Sequence, residues 1–219
     1  MRLFSYVVRY DFGFAPNPFE GWCTVATCKP DIRRAAKVGD WVVGTGSAQK
    51  KLAGKLVYAM CVDQVLTFDD YCKNIRFRRK IPTDRGAVKR AYGDNIYHHA
   101  DDGTWLQADS RHSLDGGVPN PGHIATDTSV NAVLIASHFT YYGGEGIDVP
   151  AHLRHDFGVD LVHSGRGHRC RFPAELVAAA VTWLDGLDRG IMGRPADWKR
   201  STAVQRTTRR DPTLAPKQD

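Results

Sequence analysis

Residues 28–62, CKPDIRRAAKVGDWVVGTGSAQKKLAGKLVYAMCV, run in order through a proline-opened helix, a Gly-Asp turn, an apolar strand, a small-residue loop and a long strand. Pro30 has the fixed φ that suits a first helical turn. Asp31 complements the helix dipole there, and Gly39 ends the segment. Residues 40–45 then read as a compact apolar strand and residues 55–66 as a long alternating one. The gaps between the early strands are too short for the crossover helices of a parallel doubly wound sheet, so the pattern predicts an α+β fold.

Working outward, residues 3–10 and 22–27 are rich in β-branched and aromatic side chains and read as strands, joined by the Pro/Gly loop DFGFAPNPFEG. Thr67 is placed to cap a short helix with Asp70 at its third position. Residues 93–130, rich in Gly, Asp, Asn and Pro, read as a long ordered loop. Strand character returns over residues 132–136 and 139–142, before a Gly143–Gly144 turn, and Pro150 can open another short helix. The clearest helix opens at Pro173 and puts Leu176, Val177, Ala180, Val181, Leu184 and Leu187 on one face. There is no internal repeat and no seam between halves. One α+β domain is expected over residues 1–192, followed by a basic, flexible tail over residues 193–219.

The chain of 219 residues is 42% hydrophobic and 25% charged, the balance of a globular domain rather than of a disordered or fibrous one. No stretch reaches the span of a signal core or membrane helix, and the five cysteines are an odd, scattered set. Cytoplasmic location, no membrane partner and no disulfide framework are the expectations. The net charge of +6 is unevenly placed, with +7 over residues 71–90, +4 over residues 194–219 and −5 elsewhere. Two basic segments on a mildly acidic body point to a polyanionic partner, DNA or a nucleotide. Arg76, Arg78, Arg79 and Lys80, close to Tyr71 and Phe77, are candidate phosphate contacts; the alternative is a solvated loop.

Three polar clusters can carry a base. Asn17, stiffened between two prolines and followed by Phe19, can offer an amide to a base edge and a ring for stacking. Thr45, Gly46 and Ser47 form a loop that lets a ligand approach the backbone, but no Walker or dinucleotide motif accompanies it. Asp94, Asn95 and Tyr97 combine a carboxylate, an amide and a phenol. His112 can extend that group, making Asp94 and His112 the candidate acid-base pair. One of Tyr141 and Tyr142, of which Tyr142 is the candidate, can wall the pocket. Turn formation and core packing account for the same residue types. The His152/His155 and His163/His168 pairs with Cys170, and the Cys23/Cys28 pair, lack the spacing of a strong zinc motif, so no metal is expected, and the sequence names no cofactor.

The Gly-Asp turn, strand and loop of residues 28–62 resemble the PUA-like group, including EVE, ASCH and YTH domains. That likeness implies a compact mixed or antiparallel β-barrel with short helices, in which this loop borders a pocket for a modified base. A closer resemblance rests on four blocks in order: MRLFSYVVRYDFGFAPNPF, CTVATCKPDIRRAAKVGDWVVGTGS, GDNIY and SHFTYYGG. Together they are similar to the nucleotide modification associated domain 2 family. The resemblance implies a link to DNA base modification in bacteria and phages, and it brings no mechanism. Three functions follow: accommodation of a base or modified base in a polar-aromatic pocket; a base- or nucleotide-modifying transferase or glycosylase; or a protein-interaction module.

Overall fold

Alternation along the first strand sets the layering. In the computed structural model, which describes residues 1–198 and 205–206, β1 (Leu3–Val8) turns Phe4, Tyr6 and Val8 to one face and Leu3 to the other. β2 spans Cys23–Val25, α1 Pro30–Ala35, β3 Trp41–Gly46, β4 Lys55–Cys61, β5 Gln64–Leu66 and α2 Phe68–Lys73. Then come α3 (Val88–Ala91), β6 (Tyr97–His99), β7 (Trp105–Gln107), α4 (Pro121–Thr128), β8 (Val133–Ala136), β9 (Phe139–Tyr141) and β10 (Ile147–Asp148). Last are α5 (Ala151–His155), α6 (Ala174–Asp185) and β11 (Gly190–Ile191).

The main sheet runs β1-β3-β4-β9-β11, with β10 beside β4; β1 pairs with β3 and β11 with β9 in parallel, and the other pairs are antiparallel. Its path is open, so the α+β class holds but the expected barrel does not close among the described residues. One face packs through Phe4, Tyr6, Val42, Tyr58 and Met60 against a second sheet, β2-β8-β5. α5 and α6 cover the other face, with Leu153, Leu176, Ala180 and Leu184 buried. The amphipathic helix expected after Pro173 is in place. A third aromatic cluster, built on Phe68, Tyr71, Phe77 and Tyr97, lies beyond the small sheet.

Two local readings are corrected. The strand expected over residues 55–66 breaks at Val62 and Asp63, where the chain leaves the main sheet for the small one: β4 pairs with β3 and β9, and β5 pairs with β8. The stretch read as a long loop holds β6, β7 and α4. α4 has Asn120 as its cap, the side-chain oxygen accepting from the Gly122 and His123 N–H groups at 3.1 and 3.4 Å, with Pro121 following.

Of the expected tail, residues 199–204 and 207–219 lie outside the described residues. Its first part packs on the domain: Asp197 accepts from the Asp11 N–H at 2.7 Å, Trp198 donates to the Phe12 carbonyl at 2.8 Å, and its ring stacks on Phe19. No helix among the described residues is long and apolar enough to cross a membrane.

A basic cleft floored by Cys28 and His112

The link from β2 to α1 passes through two consecutive non-glycine residues in left-handed conformation, Cys28 at φ 60° and Lys29 at φ 43°. That region costs free energy for residues with a Cβ and persists only where surroundings enforce it. Here Asp127 accepts from the Cys28 N–H at 2.8 Å, and the buried Arg33 donates to the Cys28 carbonyl at 2.9 Å. Arg33 also donates to the carbonyls of Asp127, Val130 and Ala132, tying the end of α4 to the start of α1.

Asp127 is buried and serves three partners. Besides the Cys28 N–H, its other oxygen meets His112 Nδ1 at 2.7 Å and the Tyr97 hydroxyl at 2.9 Å. Gln107 in turn donates to the Tyr97 oxygen at 3.1 Å and to the His112 carbonyl at 3.3 Å. His112 Nε2 then lies 3.8 Å from Cys28 Sγ. Burial opposes charge on the His112 ring, but the field of Asp127, with Cys28 adding to it, more than offsets this and pushes the ring's pKa up to about 10. Burial would raise the Asp127 carboxyl, yet His112, the Cys28 N–H and Arg33 hold it below the usual carboxylate range. Phe14 meets the His112 ring edge-on and His123 stacks on it.

Cys28 and His112 floor a cavity of about 430 Å³ lined by Tyr6, Tyr10, Phe12 and Phe14 and by the cations Arg9, Lys29, Arg111 and Arg206, with Asp127 behind His112. No carboxylate is among its described lining residues. The Lys29 ammonium sits over the Tyr6 ring and the Arg111 guanidinium over the Phe12 ring, so both are oriented; Arg206 is paired with Asp109. A second cavity of about 720 Å³ shares Val7, Arg9 and Lys29 with the first and adds Ser47, Arg154 and Arg166. Its one acid, Asp160, is 3.0 Å from Arg154. The buried Ser47 hydroxyl has no hydrogen-bond partner among the described residues.

The residues singled out from sequence are divided among several places. Asp94 is fully buried away from the cleft, accepting from Thr24 at 2.6 Å and Tyr71 at 2.8 Å. Burial raises its carboxyl, with the Lys80 ammonium acting against that. Lys80 does not face solvent: its ammonium donates to Asn17 Oδ1 at 2.6 Å and to the carbonyls of Asn17 and Trp22 at 3.0 and 2.9 Å. Asn17 donates to the Tyr92 carbonyl and Asn95 to those of Tyr71 and Phe77, so both amides close loops within the fold. Phe19 is buried under Trp198.

The other candidates are also spoken for in part. Thr45 donates to the Tyr6 carbonyl, and the neighbouring Gly46 is needed because a Cβ there would stand 2.2 Å from Leu52. Tyr142 packs on the core that α6 covers. Arg76 lies over Trp22 and Phe77, Arg79 pairs with Glu20, and Arg78 is exposed. Asn17 and Asp94 meet at Thr24 and Lys80 inside the fold, and neither they nor Thr45 is among the lining residues of the two cavities; His112, Tyr97 and Ser47 lie at the cleft or directly behind it. Cys28 entered the sequence reading only as half of the Cys23/Cys28 pair, Asp127, Arg9, Lys29 and Arg111 carried no motif, and the one available signal was the Asn120–Pro121 helix start that delivers Asp127. Although no metal was expected from spacing, atoms of Cys28, His112 and Asp127 lie within 4.8 Å of one another. The carboxylate already engages Nδ1, on a different side of the ring from the sulfur.

A mixed-sheet α+β protein with a cationic, ring-lined cleft is suited to anionic, planar ligands. The chain belongs to the nucleotide modification associated domain 2 family, whose profile matches residues 1–202. No curated protein matches it, and no solved structure does.

Proposed function

We propose that the cleft binds a nucleotide, free or within a nucleic acid, with its base against the aromatic wall and its phosphate over Arg9, Lys29 and Arg111. The observation that carries this reading is the lining of the first cavity, where four cations meet four aromatic rings and no acid. Family membership supplies the theme of base modification. The likeness of residues 28–62 to PUA-like domains supports it too, since Ser47, on the loop after the apolar strand, lines the adjoining cavity. The basic strip at residues 76–80 has a smaller part in this reading than its charge suggests, because the Lys80 ammonium is engaged inside the fold and the exposed Arg79 is paired with Glu20.

Titration of the protein with dCMP and with a short single-stranded oligonucleotide, followed by tryptophan fluorescence, tests the reading. Arg9→Glu combined with Lys29→Glu is expected to weaken binding by about tenfold or more, and the oligonucleotide affinity should fall steeply with salt. Charge reversal of Arg76 and Arg78 should change it by less than about threefold. The opposite ranking would move the phosphate path away from the cleft.

A further inference from the structure

We infer that Cys28, His112 and Asp127 form a nucleophilic triad for acyl transfer, acting on an acyl group carried by the ligand of the cleft. The identity of that ligand as a nucleotide rests on the function proposed above; the triad itself rests on geometry. Three groups are chained in the order such chemistry needs: a thiol on the cavity wall, an imidazole with Nε2 toward the sulfur, and a buried carboxylate on Nδ1 that fixes the ring's orientation. The sulfur stands on a left-handed backbone held from both sides by Asp127 and Arg33. Glycoside chemistry would need two carboxyl groups flanking the ligand, and the first cavity has none among its described lining residues.

In the first half-reaction the thiolate forms an S–C bond to the acyl carbon as the carbonyl π pair moves to oxygen. The pair returns, the bond to the leaving amine or alcohol breaks, and that group takes the Nε2 proton. A thioester and a neutral His112 remain. Water then attacks the thioester carbon and gives its proton to Nε2. The C–S bond breaks, the acid product leaves, and thiolate and imidazolium are restored with no net oxidation or reduction.

The test uses the full-length protein with p-nitrophenyl acetate, locating the acetyl group by peptide mass spectrometry, and with N4-acetyl-dCMP as the nucleotide substrate. Acetylation is expected on Cys28 ahead of Cys61 and Cys72. His112→Gln should make it about tenfold slower or more; Asp127→Asn should follow the same direction. Wild type, and not Cys28→Ala, should release dCMP. Acetylation indifferent to His112→Gln, or no release of dCMP by a protein that binds dCMP, would overturn the inference. So would stoichiometric zinc that co-purifies with wild type and is lost in Cys28→Ala. Wild type should also bind dCMP: binding without Cys28 reactivity removes the triad alone, while reactive Cys28 without dCMP binding removes the nucleotide reading alone.

Discussion

Asp94 and Asp127 are both fully buried carboxylates, and what surrounds each decides its role. Asp127 holds a ring whose other nitrogen reaches a cavity; Asp94 holds only Thr24, Tyr71 and, through its field, Lys80. Asp94→Asn keeps one acceptor oxygen but turns an amide toward a hydroxyl and leaves the Lys80 ammonium without its countercharge. Removing one partner of such a network costs about 3 kcal/mol. Urea denaturation should show a loss of that order, while the affinity of the folded fraction for dCMP stays within about twofold. A stable Asp94→Asn protein that fails to bind would return Asp94 to the site.

At the scale of elements, α4 matters because it delivers Asp127, and its start is defined by Asn120. Asn120→Ala removes the side-chain acceptor for the Gly122 and His123 N–H groups and should lower stability by about 1 kcal/mol in urea denaturation. Asp127 sits at the far end of the helix, fixed by Cys28, His112 and Tyr97, so the reactivity of Cys28 should be unchanged. The helix was illegible because PGHIATDT has a single large apolar side chain and so no 3.6-residue stripe, although its Asn-Pro start was there to read. Strands 3–8, 41–46 and 133–136 were legible because branched and aromatic residues mark them. The break at residues 62–63 was not, since alternation continues in sequence while the chain changes sheets. The site was legible only in His112, and behind it Tyr97: 84 residues separate Cys28 from His112 and 99 separate it from Asp127, so no local spacing records their meeting.

For the molecule as a whole, two buried titrating groups bias stability in opposite directions, and their windows differ. His112 titrates near 10 in the fold against about 6.5 unfolded, so its contribution is fully present below about pH 6.5 and is lost as pH rises toward 10. Lys80 is the reverse case. Burial, opposed by the field of Asp94, brings its ammonium down to about 8, so the fold carries a penalty below that pH which is relieved between about 8 and the unfolded value near 10.4. From about pH 6.5 to 8 the His112 effect lowers stability, and at 1.36 kcal/mol for each pH unit the protein should lose about 2 kcal/mol. Just above pH 8 the Lys80 slope opposes it and the decline should slacken, until the Cys23 thiol, which burial keeps protonated in the fold, adds a decline of its own above its unfolded value near 8.5. Thermal unfolding across pH 6 to 10 reads this directly. His112→Gln should abolish the first decline, and Lys80→Met, though less stable throughout, should decline more steeply than wild type above pH 8. A wild-type curve level from pH 6.5 to 8 would mean that His112 does not carry its proton in the fold. The proton that His112 must give to the leaving group would then be missing, so a whole-molecule measurement bears on the chemistry of one cavity.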